Sequence, residues 1–270
     1  MLVDTHSHLF MDEFAADRSE VMQRAFDAGV ERIYMPNVDL STLEPLLRLC
    51  GQYSDKCFPL IGLHPTSITS SYYQEELTAI KRSLDEHPGL FVGIGEVGLD
   101  FYWDTTYAEE QMEVFEVQLH WALAYDLPLI IHCRNAFAEL YDCMKPYIDS
   151  PLKGIFHCFT GDVTDAERFL QFQHFLFGVN GVVTYKKSPL PAMLHSMIPL
   201  DRLVLETDSP YLPPVPFRGK RNESSYIIYV AEKIAQVYDV SVEEVAQRTS
   251  RNAIHLFEGA KGACLGIKEF

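Results

Sequence analysis

The sequence predicts an α/β fold in which a single (β/α)₈ TIM barrel carries extra C-terminal helices. Two patterns predict it. Apolar segments typical of buried strands alternate with helical segments about eight times along the chain, and polar side chains follow the apolar segments directly. A length of 270 residues suits one such domain, because α/β barrels routinely reach that size. No linker, low-complexity segment or repeat of fixed period divides the chain.

The eight strands are predicted from short apolar or β-branched runs bounded by turn residues. The first starts at Met1 and runs into His6 and His8. The other seven are expected at residues 30–34, 58–62, 90–94, 129–131, 154–156, 175–178 and 203–205.

Between the strands, helical periodicity predicts seven connecting helices. They are expected at residues 19–28, 41–52, 73–86, 108–125, 137–147, 163–172 and 190–197. Gly29 is the kind of residue that ends such a helix. Two further helices, at residues 224–238 and 242–256, are expected to complete the outer layer, with Ser241 as an N-cap.

The predicted domain boundary follows from where periodicity stops. Residues 1–258 are expected to form the barrel domain. Residues 259–270 show no periodicity and are predicted to be a loosely held tail.

Composition narrows the class of protein. Hydrophobic residues make up 47% and charged residues 22% of the chain, which is typical of a globular protein with a large core. The net charge of -16 argues against a broad basic surface for nucleic acid, although bound metal ions can supply local positive charge. With no spanning segment and no recognisable secretion signal, we expect a cytoplasmic location, no membrane partner and reduced thiols at the six scattered cysteines.

The candidate site comprises the side chains that follow the strands, because barrel active sites lie at the C-terminal ends of the strands. His6 and His8 are two residues apart, so they project from one face of an extended strand. Four imidazoles and two carboxylates from separate strands are expected to converge: His6, His8, Glu96, His132, His157 and Asp208. Such a set indicates a metal centre.

Six motifs in this order cover nearly the whole chain: DTHSH from Asp4, GLHP from Gly62, GEVGLD from Gly95, IHCR from Ile131, HCFTG from His157 and ETDSPYL from Glu206. Through them the sequence resembles the TatD-type metal-dependent deoxyribonucleases, a branch of the amidohydrolase superfamily of barrels. The resemblance implies that one ion is held by His6, His8 and Asp208 and a second by His132 and His157. Glu96 would then bridge the two.

The chemistry of these residues agrees with a two-metal hydrolase. Mixed imidazole and carboxylate ligands suit Zn²⁺, Mn²⁺ or Fe²⁺, whereas oxygen-only sites favour Mg²⁺. Two divalent ions are expected, and their identity stays open among Zn, Mn, Mg and Fe. Two ions about 3.5–4 Å apart activate a water and neutralise phosphoryl charge. Glu96, Asp208 and Glu206 are the catalytic candidates: Asp208 as a proton acceptor, and Glu206 either as a group that orients water or a ligand or as a solvated or paired strand carboxylate.

Substrate contacts are predicted at His64, Arg134 and Lys220. His64 follows a strand, and in the resembled family this position is associated with the substrate phosphate; a structural histidine before Pro65 is its alternative. Arg134 presents a planar fork that suits a phosphate, and a surface ion pair is its alternative. Lys220 lies in the most basic segment, residues 217–223, which precedes Ser224 and Ser225 where the family tends to have proline.

Several neighbouring side chains have two interpretations. Tyr102 and Trp103 either stack on nucleobases or form a packed lid, and Lys186 and Lys187 either contact phosphate or are simply solvated. Cys133 and Cys158 each follow a predicted ligand histidine. Strand alternation predicts that both point into the layer between barrel and helices and do not bind metal.

Three functions are compatible with this site. The leading prediction is a deoxyribonuclease that cuts single-stranded DNA or DNA ends. The second is a two-metal hydrolase of a small amide, lactone or phosphoester, and the third is a non-catalytic barrel that retains metal. The oligomeric state stays open, and a monomer is compatible with the sequence.

Overall fold

The computed structural model describes residues 1–69 and 72–258, and residues 259–270, the predicted tail, lie outside the described residues. The eight strands are β1 Leu2–Asp4, β2 Val30–Pro36, β3 Cys57–Leu60, β4 Ile94–Asp100, β5 Leu129–Arg134, β6 Gly154–Phe156, β7 Phe175–Val179 and β8 Leu203–Leu205. The helices are α1 Arg18–Asp27, α2 Leu40–Gln52, α3 Tyr73–Glu86, α4 Ala108–Tyr125, α5 Phe137–Met144, α6 Val163–Phe169, α7 Leu190–Met197, α8 Ile227–Tyr238 and α9 Val242–Glu258.

All strand pairs are parallel and follow chain order, β1 to β3 in one group and β4 to β8 in another. Backbone hydrogen bonds join the groups at both seams. Gly95 donates to Ile61 at 3.0 Å beside β3, and Thr5 donates to Leu205 at 3.1 Å beside β8. The strands therefore form one ring, which confirms the predicted barrel.

Alternation along the strands separates two apolar cores. In β5, Leu129 and Ile131 belong to the large core beneath the helices, whereas Ile130 packs with inward residues of other strands. The inner core includes Phe257 of α9, whose ring stacks on Tyr34 at 3.7 Å between centroids. The last helix thus packs on the barrel interior, so the functional residues occupy the other end.

The predicted position of the fourth strand, residues 90–94, is wrong, because β4 spans Ile94–Asp100. Pairing with β5 shifts between Ile94 and Val97, so this strand is irregular where Glu96 sits. Gly98 allows the close approach: its φ is +133°, and an added Cβ would overlap the backbone of His132. Glu96 therefore lies inside a buried strand and does not follow one.

The remaining elements match their predicted positions with small shifts. Two helices end three residues earlier than predicted, α5 at Met144 and α6 at Phe169. Asp39 and Asp162 begin α2 and α6 with reciprocal capping boxes. Within residues 1–69 and 72–258, no helix combines the length and the apolar character needed to cross a bilayer.

Candidate metal centre

The first cluster of the site lies just after the end of β1, at the mouth of the barrel. The Nε2 atoms of His6 and His8 approach each other to 3.0 Å. Both face Oε2 of Glu96, at 3.1 Å from His6 and 3.5 Å from His8. All three side chains are nearly fully buried. The predicted pair of histidines therefore points at one place, as expected for alternate residues of an extended segment.

Asp208, in the segment that follows β8, completes this cluster. Its Oδ1 lies 3.8 Å from Nε2 of His6 and 3.7 Å from Nε2 of His8. Its backbone N donates to the carbonyl of His6 at 2.9 Å, which fixes the segment after β8 against the segment after β1. The φ of Asp208 is +57°, a conformation that Asp tolerates better than most residues.

A second cluster meets the other oxygen of Glu96. Oε1 lies 3.0 Å from Nδ1 of His132, 3.4 Å from Nε2 of His64 and 3.8 Å from Nε2 of His157. The two oxygens of one buried carboxylate therefore serve two different groups of imidazoles. His64 was predicted to contact the substrate, and one of its ring nitrogens lies within 4.8 Å of possible ligand atoms of Glu96 and His132.

Asp100 holds His132 from its other side, and the sequence interpretation assigned it no role. Its Oδ2 lies 2.9 Å from Nε2 of His132. Carboxylates commonly orient a ligand histidine in this way. The sequence pattern that would have found it is spacing, because Glu96 and Asp100 are four residues apart in one strand.

Glu206 lies beside His157, although Nδ1 of His157 and Oε2 of Glu206 are not aligned for a hydrogen bond. Its Oε2 lies 3.0 Å from Nδ1 of His157, and its Oε1 accepts a hydrogen bond from the backbone N of Cys158 at 2.7 Å. Glu206 is fully buried, which rules out the interpretation of a solvated strand carboxylate. The structure favours an orienting role for Glu206.

The prediction for Cys158 was wrong, whereas Cys133 packs against the outer core as predicted. β6 ends at Phe156, and Cys158 has a φ of +46°, so strand alternation no longer applies to it. Its sulfur lies among His157 and Glu206. Burial, together with Glu206, raises the pKa of the thiol well above its ordinary value.

Asp4, at the end of β1, binds the segments that follow β8. Its carboxylate accepts hydrogen bonds from the backbone N and the hydroxyl of Thr207, at 2.9 and 2.7 Å, and from the hydroxyl of Ser224 at 2.6 Å. Burial raises the pKa of Asp4 to about 7, although these hydrogen bonds lower it. Ser224, at a position where the family tends to have proline, thereby gains a structural contact with the strand that carries His6.

The charges of the site depend on its partners as well as on burial. Burial lowers the pKa of His157, but Glu206 and Asp208 raise it more, to about 10. Burial also lowers the pKa of His132, which Asp100 and Glu96 raise to about 9. In the protein alone, these two imidazoles therefore carry the positive charge that compensates the buried carboxylates.

The arrangement fits divalent metal ions. Ligands about 2.0–2.1 Å from a tetrahedral Zn²⁺ lie about 3.3 Å apart, close to the 3.0–3.5 Å spacings among His6, His8 and Glu96. Buried Nδ1 of His6 has no hydrogen-bond partner among the described residues. Imidazole and carboxylate are the donor types that Zn²⁺, Mn²⁺ and Fe²⁺ accept. A histidine must be neutral to bind a metal, so an ion bound here would take the place of the protons on His132 and His157.

The cations that were predicted to contact the substrate are exposed to solvent. Arg134, at the end of β5, is exposed and its guanidinium lies 3.6 Å from the ring centroid of Tyr102. Lys220 is exposed and lies 5.7 Å from the ring centroid of Phe217. Lys186 and Lys187 are likewise exposed.

Part of the basic segment 217–223 serves the fold and not a ligand. Arg221 donates to both carboxylate oxygens of Asp17, at 2.8 and 2.7 Å. Glu223 receives a bidentate contact from Arg24 at 2.8 and 2.6 Å. Within this segment, the described residues leave Arg218 and Lys220 as cations without a carboxylate within 4.0 Å.

Comparisons with known proteins agree with this geometry. The family model described as TatD related DNase matches residues 3–258. The relative named "Uncharacterized metal-dependent hydrolase YabD", from Bacillus subtilis (strain 168), is 40% identical over 258 residues, covering 95% of this chain and 99% of that protein. The 3'-5' ssDNA/RNA exonuclease TatD of Erwinia amylovora is 32% identical over 261 residues, with 95% and 99% coverage.

A solved structure shows the same fold. The crystal structure of YjjV, a TatD homologue from Escherichia coli K12, matches with a TM-score of 0.86 and 31% identity, covering 95% of this chain and 98% of that one. The resemblance drawn from the six motifs is thereby confirmed, along with the TIM-barrel fold and the class of metal-dependent hydrolase. The chain belongs to the TatD related DNase family.

Proposed function

We propose that this protein is a two-metal nuclease that hydrolyses phosphodiester bonds in single-stranded DNA or RNA from an end. One observation carries the proposal: the two oxygens of Glu96 face two separate groups of imidazoles. A relative of 32% identity is named a 3'-5' ssDNA/RNA exonuclease, which supports the substrate class. The two ions of the proposal are divalent cations among Zn, Mn, Mg and Fe, as predicted from the sequence.

The proposed ligands divide around Glu96. His6, His8 and Asp208 would hold one ion, and His132 and His157 would hold the other. The ring nitrogens of His64 and His132 lie within 4.8 Å of each other and of Glu96, so His64 is near the second ion. Two bound divalent ions supply positive charge for a phosphoryl oxygen and lower the pKa of a bound water. Asp100 and Glu206 keep the rings of His132 and His157 in place.

Asp208 is the proposed proton acceptor. Burial raises its pKa to about 6, although His157 and His8 lower it. A carboxylate beside a bound water is a common proton acceptor in hydrolases. Asp208 is also the most accessible carboxylate of the cluster, with 14% of its side chain exposed against 4% for Glu96.

The decisive test combines metal analysis with a nuclease assay on the wild type and on Glu96→Ala. We expect about two ions per chain in the wild type and degradation of a single-stranded oligonucleotide, with both reduced in the variant. Fewer than two ions in the wild type, or equal activity in the two proteins, would contradict the bridging role of Glu96.

The second prediction from sequence, a small amide, lactone or phosphoester as substrate, differs in its need for surface cations. A nuclease should lose activity on oligonucleotides when Arg134 and Lys220 are both replaced by Met, while hydrolysis of a small neutral ester is unchanged. If the double variant cleaves oligonucleotides as well as the wild type does, Arg134 and Lys220 are not substrate contacts. If the wild type cleaves only small substrates, the nuclease proposal fails.

A further inference from the structure

Two exposed aromatic side chains lie on the loop that follows β4, at the catalytic end of the barrel. Tyr102 is 49% exposed and Trp103 is 74% exposed, so they do not form the packed lid that was one interpretation of the sequence. Leaving a tryptophan so exposed costs favourable burial of a large apolar surface. Large exposed aromatic side chains are frequent at binding sites.

The two rings and one guanidinium form a single surface. The guanidinium carbon of Arg134 lies 3.6 Å from the ring centroid of Tyr102 and 5.4 Å from that of Trp103. The two rings meet edge to face, with centroids 4.7 Å apart and an angle of 88° between their planes. We call Tyr102, Trp103 and Arg134 the rim platform. Arg134 covers Tyr102, whereas much of Trp103 faces solvent.

The rim platform is tied to the candidate metal centre by a short chain of hydrogen bonds. The backbone N of Tyr102 donates to Oδ1 of Asp100 at 3.0 Å, and Oδ2 of Asp100 contacts His132 at 2.9 Å. The backbone N of Phe101 donates to the carbonyl of Arg134 at 2.9 Å. These bonds fix the position of the loop, which begins one residue after Asp100, the residue whose side chain contacts His132.

The guanidinium of Arg134 has no ion-pair partner among the described residues. No carboxylate approaches it within 4.0 Å in the part of the chain that the structure describes, in contrast to Arg24 and Arg221. A stacked guanidinium keeps its edge free to donate hydrogen bonds to a phosphate. An aromatic face beside a free cation is the combination by which proteins bind single-stranded nucleic acids.

We propose that the rim platform is a nucleobase subsite, in which a base of the substrate stacks on Trp103 while Arg134 contacts the adjacent phosphate. The proposal rests on the proposed function and deepens it, because it assigns the base contact at the same site. Stacking accepts any base, since every base has an aromatic face. The subsite therefore recognises that a base is present and does not read the sequence.

The test measures cleavage kinetics on paired single-stranded substrates with the metal-loaded enzyme. One substrate is an oligothymidylate, and the others carry a single abasic residue at one of the four positions nearest either end. For the wild type, we expect an abasic residue at one position to raise KM about tenfold. Trp103→Ala should raise KM on the intact substrate by a similar factor and show little further loss on that abasic substrate, while Trp103→Phe restores most of the affinity.

Controls separate stacking from charge and folding. Arg168 lies over Tyr141 at 5.5 Å in the outer helical layer, so Arg168→Ala is a matched loss of a stacked arginine away from the site. It should leave KM unchanged, whereas Arg134→Ala should raise KM on intact and abasic substrates alike. The proposal is overturned if Trp103→Ala has the KM of the wild type, or if its loss is equally large on the abasic substrate.

A fluorescence measurement tests the rim platform without cleavage. The chain has two tryptophans, and Trp121 is buried, so Trp121→Phe leaves Trp103 as the only indole. A phosphorothioate oligothymidylate should quench its emission saturably, and an abasic analogue should quench it less. Binding seen by anisotropy of a labelled oligonucleotide without quenching overturns the subsite. Cleavage by the wild type decides the proposed function separately, whatever the quenching shows.

Discussion

Replacing Gly178 by alanine should weaken metal binding although Gly178 is not a ligand. Gly178 lies in β7, and a Cβ built on it would overlap the carboxylate of Glu206, with Cδ only 2.8 Å away. Ordinary contact begins near 3.4 Å, so the carboxylate must move by about 0.5–1 Å. That shift lengthens the 3.0 Å contact with His157 and the 2.7 Å bond from Cys158.

The expected size follows from the role assigned to Glu206. Losing an orienting partner of a ligand histidine typically lowers metal affinity about 10–100-fold, or about 1.4–2.7 kcal/mol. Overpacking in the barrel interior should also reduce the free energy of unfolding by about 1–3 kcal/mol. Metal dissociation constants from chelator competition, with thermal unfolding of the metal-free protein, measure the two effects separately.

Gly93→Ala is the matched control. Its Cβ would approach Cδ2 of Leu60 to 2.6 Å, in the apolar core of the barrel and away from the candidate centre. It should lower stability to a comparable degree and leave metal affinity unchanged. If Gly178→Ala binds metal as tightly as Gly93→Ala, then Glu206 does not support His157, and the reasoning is refuted.

Three further predictions concern the ligands, a buried ion pair and a surface cation. His6→Ala should lower the metal content from about two ions to about one per chain, measured by elemental analysis, because the ligands around His132 remain; loss of both ions would count against separate sites. Arg24→Met should destabilise the fold by about 1–2 kcal/mol at pH 7, since it leaves buried Glu223 unpaired. Burial raises the pKa of Glu223 but Arg24 lowers it more, so the stabilisation is present above the ordinary glutamate pKa and is lost as pH falls through the lowered one. The difference in Tm between wild type and variant should therefore shrink below about pH 4, and a constant difference would contradict the pairing. Lys220→Met should leave Tm unchanged and reduce the salt dependence of oligonucleotide binding by about 0.7 in log-log slope, with an unchanged slope excluding a phosphate contact.

Much of the site follows from local rules of strand geometry. Each apolar strand is short and buried, so the first polar residues after it lie at the mouth of the barrel, and alternation decides which of them face inward. His132 and His157 illustrate this, since each lies two residues beyond an inward residue of its strand, Ile130 and Ile155. These positions were predictable because the relevant interactions lie within one strand.

Irregular backbone defeated the same rules at two places. β4 begins four residues later than predicted, because a shift in its pairing with β5 carries Glu96 inside the strand. Cys158 turns toward Glu206 because its φ is positive, which strand alternation does not foresee. Apolar periodicity reports burial but does not report the local backbone conformation.

The sequence by itself determined the order of the strands, the inward or outward side of most of them and the set of side chains that bear the chemistry. Only the tertiary structure decided which atoms meet: that Glu96 divides its two oxygens between two groups of histidines, and that Asp100 and Glu206 hold His132 and His157. It likewise decided that Arg221 serves the fold while Arg134 remains free. The physical reason is that side-chain identity and spacing act along the chain, whereas these contacts join segments distant in sequence and depend on where eight strands bring them together.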